Sequence, residues 1–400
     1  MELEDKLLWR HVDSDPPGPA AVSVHDAMVE GRRRRRNRTA TGLVGAVALA
    51  TAAVLAGPAI VHALGRDDGR AGGEQQGSST VATSQAAVLP AGPPPGTAGP
   101  PPANCTINRL PTPPGVTMAI ASGIDPSGRY AVGRTYRFIP GGIDEVPTIW
   151  HDGTLTPVPL EGADPILRDA TSAGHAVGIS FPADADGKRA AWLYRDGQVS
   201  RLPGEDADAA AINSADVVVG SVAGRPAVWT SPTAEPTLLS SQRGWAAGID
   251  EDGTIVGSLD GVGAVVWYPD GSMHELPAPP GVTGTNADGL DAGWATGAGA
   301  TESGFVGLRW NVRTGASTTY PLVDRTHGAS QDGSVIGTDD EGHPLYLHEG
   351  SPTRLPTLTT PLNSTDNFPN AISRDGRTIA GQAVLGDADR TFVAVLWTCN

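Results

Sequence analysis

Between residues 105 and 400 the chain alternates short apolar runs with breaks rich in Gly, Asp and Asn, and the alternation recurs about every forty residues. The clearest copies are Ala247-Gly248-Ile249-Asp250-Glu251-Asp252-Gly253-Thr254-Ile255-Val256-Gly257 and Ser122-Gly123-Ile124-Asp125 through Ala131-Val132-Gly133. Others run from Ala211-Ile212-Asn213 to Val219-Gly220 and from Ala371-Ile372-Ser373 to Ala380-Gly381, with weaker copies ending at Gly178, Gly297 and Gly337. The closing glycines make seven copies. In each, a following apolar run ends in an aromatic residue: Trp150, Trp192, Trp229, Trp267, Trp310, Tyr346 and Trp397. Tight turns such as Asp152-Gly153 and Asp270-Gly271 come next, then short segments closing on Leu-Pro at 202–203, 276–277 and 355–356. An Asx residue shortly before Gly is hairpin chemistry, because its side chain bonds the turn and Gly accepts positive φ. Val- and Ile-rich runs between such turns read as strands. Four antiparallel strands per unit and seven units predict an all-β, seven-bladed β-propeller over 105–400. The repeated Trp is expected to wedge between neighbouring sheets rather than to touch a ligand.

The two extremities of this region complement each other. Ile107-Asn108-Arg109-Leu110-Pro111 resembles a fourth strand with no preceding three, and the seventh copy stops at Trp397-Thr398-Cys399-Asn400 without a fourth. Joining Asn400 to Cys105 restores the ten-residue spacing from Trp to Pro seen between Trp267 and Pro277. The N-terminal strand is therefore expected to complete the last blade, with Cys105 and Cys399 meeting as a disulfide. Such a bond would close a loop of about 295 residues, on the order of 5 kcal/mol in the chain-entropy model.

The repeat set resembles the extracellular HAF-repeat family, whose units read Ala-x-x-Ile-Asn-x-x-Gly-x-Val-Val-Gly before an apolar segment ending in Trp. The copies at Ile212-Asn213 and Ile249-Asp250 match best, while 168–178 and 326–337 depart from the pattern. The resemblance covers nearly all of 119–400 and implies an exported, propeller-like domain. It implies no catalytic residues, since the family is defined by its repeat.

Charge organises what precedes the repeats. Residues 1–38 form a short head ending in Arg32–Arg36 and Arg38, and residues 39–64 contain no Asp, Glu, Lys or Arg. About 20 apolar residues span a bilayer core, so 39–64 is expected to be a single transmembrane helix. The arginines before it predict a cytoplasmic head and an extracytoplasmic remainder. The head is long for a signal peptide, so the anchor is expected to stay uncleaved. Residues 65–104 hold fifteen Gly or Pro and no aromatic residue, a composition that cannot offset its ordering entropy and predicts a disordered linker with a reach of roughly 35 Å. The formal net charge of −16 argues against nucleic acid as a partner.

The connections between second and third strands, read as Arg134–Val146, Ser180–Arg189, Ala298–Phe305 and Gln382–Thr391, are expected to be long loops on one face, with tight turns on the other. Long loops on a rigid scaffold are where binding resides. Tyr136, Arg137 and Phe138, then Phe181, Asp184 and Asp186, then Asp387, Asp389 and Arg390 are the candidate ligand-binding residues. No Gly-x-Ser-x-Gly elbow is present, and no His-x-x-x-His or His-Glu pair is read as having ligand spacing. Asp184-Ala185-Asp186-Gly187 and Asp250-Glu251-Asp252-Gly253 lack the further oxygens that Ca²⁺ needs. Neither a metal nor a cofactor is expected, and the propeller is expected to be monomeric. Carboxylates meeting at a central channel are left open by the sequence. The leading expectation is a membrane-anchored binding module for an envelope polymer or an exported protein. The alternatives are a carbohydrate-active hydrolase or lyase at the channel mouth and a sensor coupled to the cytoplasmic head.

Overall fold

A computed structural model describes residues 104–140, 142–361, 366–386 and 391–400. The expected head, membrane span and linker, together with Asp387, Asp389 and Arg390, lie outside the described residues. Among the described residues, no helix is long and apolar enough to cross a membrane.

Among the described residues, twenty-eight strands form seven four-stranded antiparallel sheets, the seven blades of a propeller. The first blade is Met118–Ile124, Tyr130–Ile139, Gly142–His151 and Thr154–Pro157. The seventh is Asn367–Ile372, Thr378–Val384 and Phe392–Cys399, completed by the N-terminal Cys105–Arg109. In that closing pair Cys105 faces Cys399, and the two are joined as a disulfide. The bond stands where other blades have a turn between third and fourth strands. The chain therefore enters the propeller at the end that carries the first-to-second and third-to-fourth turns.

The closing glycine of the repeat has a steric cause. In six blades the first strand carries a bulge, at Ser122, Arg168, Ala210, Ala247, Asp288 and Asn370. The bulge drives a first-strand carbonyl toward the second strand, into the space a Cβ would occupy. A Cβ on Gly133, Gly178, Gly220, Gly257, Gly297 or Gly381 would lie 1.8–2.1 Å from such an oxygen. The sixth blade has a first strand of only Gly328–Ala329 and no such bulge, and its Gly337 meets its nearest neighbour at 2.9 Å. That is why the copy at 326–337 departs from the pattern.

Apolar residues form seven clusters, one at each junction between neighbouring blades, including the seventh with the first. All seven repeat aromatics are buried in these layers. The Leu-Pro segments hold them. The indole N–H of Trp150, Trp229, Trp310 and Trp397 donates to the carbonyl of Pro111, Pro203, Pro277 and Pro356, each on the preceding blade, at 2.7–2.8 Å. Where the preceding blade lacks Leu-Pro, the bond is lost or rerouted: Trp192 donates to Ser180 within its own blade, and the Trp267 N–H has no partner among the described residues.

Two of the four expected long loops are strands instead. Arg134–Val146 is mostly a ten-residue-a-side β-ribbon, and Ala298–Phe305 turns tightly at Glu302-Ser303. Thr135, Tyr136, Phe138, Ile139, Ile143 and Val146 are β-branched or aromatic, and their alternation continues the blade outward. The third blade supplies the converse exception, with residues 230–236 between its third and fourth strands.

Candidate functional site

At the tight-turn end, each blade is tied to the next around the channel mouth. Ser172 Oγ donates to Asp125 at 2.6 Å, joining the second blade to the first, and Ile212 N–H donates to Asp169 at 2.9 Å, joining the third to the second. Asn213 Nδ2 donates to the Asp250 carbonyl, and Gly293 N–H to the Asp250 carboxylate at 2.7 Å. Trp294 Nε1 donates to the Gln331 carbonyl, Gln331 N–H to the Arg374 carbonyl and Arg374 N–H to the Pro126 carbonyl. These bonds cover all seven junctions. From the seventh blade the Arg374 side chain crosses to the fifth and fourth, donating to Asp291 at 2.6 and 2.9 Å and to Asp250 at 3.3 Å.

Carboxylates thus do converge here, and burial governs their charge. Burial pushes Asp169 up to about 7 against hydrogen bonds from Ile212 and Ala170 N–H, with Asp291 and Asp125 adding repulsion. It pushes Asp291 up to about 6, Arg374 opposing and Asp250 reinforcing. Asp125 is buried too, but hydrogen bonds from Ser127, Ser172 and Tyr130 hold it below the usual carboxylate range. Farther along the channel wall, burial, helped by Arg325, pulls His327 down to about 4. The sequence reading named none of these as site residues except in leaving the channel open. Each of these four carboxylates accepts at least one N–H or O–H from another blade, so the cluster acts as a clasp.

The opposite end carries the second-to-third hairpins, and the first-blade ribbon dominates it. Beyond Tyr136 and Pro147, whose carbonyl accepts the Val158 N–H at 2.8 Å, its two strands ladder only to each other among the described residues. Its base is stiff. Arg134, 1 % exposed, ion-pairs with Asp164 of the second blade and with Glu145. Tyr136 is buried and accepts a hydrogen bond from Arg134 Nε at 2.5 Å, and burial pushes its phenol up to about 12. Tyr136, a candidate ligand contact in the sequence, thus has its ring and hydroxyl engaged in the base of the ribbon. Its tip is open. Phe138 and Ile143 are cross-strand partners at 55 % and 45 % exposure, while Ile139, at 45 %, alternates to the other face at the end of the ribbon. On the other ribbon face Arg137 pairs with Asp144 at 2.5 Å and borders a groove of about 200 Å³ lined by Pro113, Pro114, Val116, Val146 and Leu155.

The second-blade candidates do not join this patch. Phe181 is half-buried against Ala163, Asp184 is exposed and pairs with Arg201 of its own blade, and Asp186 is an exposed left-handed turn residue. At the same end, the turn of the sixth blade brings Asp339, Glu341 and His343 together in an arrangement fit for a metal ion. That His-Glu spacing was passed over in the sequence, where alternate rather than helical spacing was the signal. A scan against protein-family models and a search of curated proteins match nothing to this chain.

Proposed function

We propose that the chain is a single-pass, N-in membrane protein of the HAF-repeat kind whose propeller binds an envelope polymer or another exported protein. One observation carries this reading: the first-blade ribbon stands on a rigid buried base and presents Phe138, Ile139 and Ile143 to solvent. Apolar residues held out in this way cost solvation, and contiguous exposed apolar patches mark interaction sites. The charge-free run 39–64, flanked by Arg32–Arg36, supports the anchor. With the tether joined at the tight-turn end, the ribbon end is the one turned away from it, which suits presentation to a partner.

The enzyme reading has one point in its favour, the raised Asp169 and Asp291 at the channel mouth. Their engagement by Ile212 N–H and Arg374 weighs against it. The test is retention of envelope components by immobilised 105–400 fragment, compared with the same fragment carrying F138S and I143S. The binding reading expects a protein or glycan held by the first and lost from the second. Equal retention by both, or none by either, rejects the ribbon as the binding element.

A further inference from the structure

We propose that the turn of the sixth blade, between strands Val335–Thr338 and Pro344–His348, is a binding site for a divalent transition ion of the Zn²⁺ class, with Asp339, Glu341 and His343 as ligands. Asp339 Oδ1 accepts the backbone N–H of Glu341 at 3.0 Å and of His343 at 2.8 Å, while Gly342, at φ +88°, makes the left-handed step. This closes the turn and puts alternate side chains together. One donor atom from each of the three residues lies within 4.8 Å of the others.

The two separations from the imidazole nitrogen are those of a coordination shell. His343 Nδ1 stands 3.1 Å from Asp339 Oδ2 and 3.5 Å from Glu341 Oε2. Ligands bonded to a tetrahedral ion at ~2.0–2.2 Å stand about 3.3 Å apart, so an ion fits with little more than side-chain rotation. The neutral imidazole moves its proton to Nε2 and offers the Nδ1 lone pair. One nitrogen and two carboxylates with a fourth position open suit Zn²⁺, whereas Ca²⁺ seeks six to eight oxygens.

A second observation marks the same oxygens as cation-seeking. Arg354, from the fourth strand of this blade, places Nη2 3.6 Å from Glu341 Oε2 and 3.9 Å from Asp339 Oδ2. It is drawn to both carboxylates yet is within hydrogen-bond distance of neither. A bound ion would compete with it. The contrast with His175 is instructive: that ring turns Nδ1 to Asp216 and Nε2 to Asp196, and opposite ring nitrogens cannot chelate one ion.

The experiment is calorimetric titration of chelator-stripped full-length protein with ZnCl₂, for wild type, H343A, R354Q and, as a control for other histidines, H274A. The expected result is a saturable site that H343A weakens at least about tenfold, as loss of one of three ligands requires. R354Q should tighten it at least about threefold, because a like charge about 4–5 Å from the ion is removed, and H274A should leave it unchanged. A gain of affinity cannot come from misfolding, so R354Q keeps the test decisive if H343A is unstable. Wild-type-like binding by H343A, a site lost in H274A, no tightening in R354Q, or no saturable binding below about 100 μM each overturns the proposal.

Discussion

The two ends of the propeller use their side chains in opposite ways. The tight-turn end holds Asp125, Asp169, Asp250, Asp291 and Arg374, a set that resembles an active site in composition, yet these groups tie blade to blade. The ribbon end holds ordinary apolar residues, and Phe138, Ile139 and Ile143 are left without a task in the fold. Chemical endowment alone therefore does not locate function. What the fold leaves uncommitted is the other candidate, and the difference yields experiments that ask whether one end governs stability and the other binding.

The largest effect is expected from the closure at the tight-turn end. Replacing Cys105 and Cys399 by Ser removes the one covalent link of a 294-residue separation. The chain-entropy model assigns this on the order of 5 kcal/mol. Denaturant unfolding of the 105–400 fragment should show that loss, with retention of envelope components unchanged. A loss below about 1 kcal/mol would mean that strand pairing and the Pro111–Trp150 contact suffice to close the ring.

Next comes a pH dependence set by the clasp. Asp169 and Asp291 keep their protons up to about 7 and about 6 in the folded state, against 3.8 usually. Between pH 4 and 6 the folded chain thus holds two protons that the unfolded chain has released, and stability falls as pH rises. His327 acts oppositely: its folded value is about 4 against 6.5 usually, so stability from this ring is lost as pH falls from 6.5 toward 4. The balance is one extra proton on the folded chain, or about 3 kcal/mol lost from pH 4 to pH 6. D169N with D291N removes this contribution and leaves His327 opposing it, so the fall in stability from pH 4 to pH 6 should shrink. An unchanged slope would show that the clasp carboxylates titrate normally.

How far these features were legible follows from the local rules behind them. The seven units, the Trp wedges and the closing strand could be read because a bulge demands Gly at one position and Leu-Pro supplies a carbonyl at another, once per blade. The clasp was not legible as a group. Asp169 occupies the repeat position of Gly123, whereas Asp291 occupies that of Asp125, so the repeat gives no hint that they meet. Arg374 reaches them only because the ring closes. The ribbon is obscured in the sequence for a different reason: Pro140-Gly141-Gly142 is turn-rich and interrupts the alternation on either side of it. Of the candidates, Arg137 and Phe138 stand on the exposed ribbon, Tyr136 supports it, and Phe181 ends a second-blade strand whose following loop holds Asp184 and Asp186.

A smaller effect sharpens the account of the wedges. Trp229→Phe removes a buried hydrogen bond and leaves the Pro203 carbonyl without its donor, whereas Trp267→Phe removes an N–H that has no partner among the described residues. The packing loss is similar in both, since each is at most 4 % exposed. Trp229→Phe should therefore be the more destabilising by about 1 kcal/mol in denaturant unfolding. Equal losses would indicate that the indoles act by volume alone.

The smallest effect on stability is expected at the ribbon tip, and its smallness is what separates the two ends. Phe138 and Ile143 face each other across the ribbon at half exposure, beyond the last residues that pair with the rest of the blade. Truncating them to Ser removes little area that folding buries, and surface changes of this kind fall within about 0.5 kcal/mol. A cross-strand apolar pair adds roughly 0.2–1 kcal/mol relative to an Ala pair. If unfolding of F138S with I143S matches wild type while partner retention falls, the tip has a role outside the fold. If the pair instead costs several kcal/mol, the tip is packed against something in the free protein, and the division of labour between the two ends does not hold.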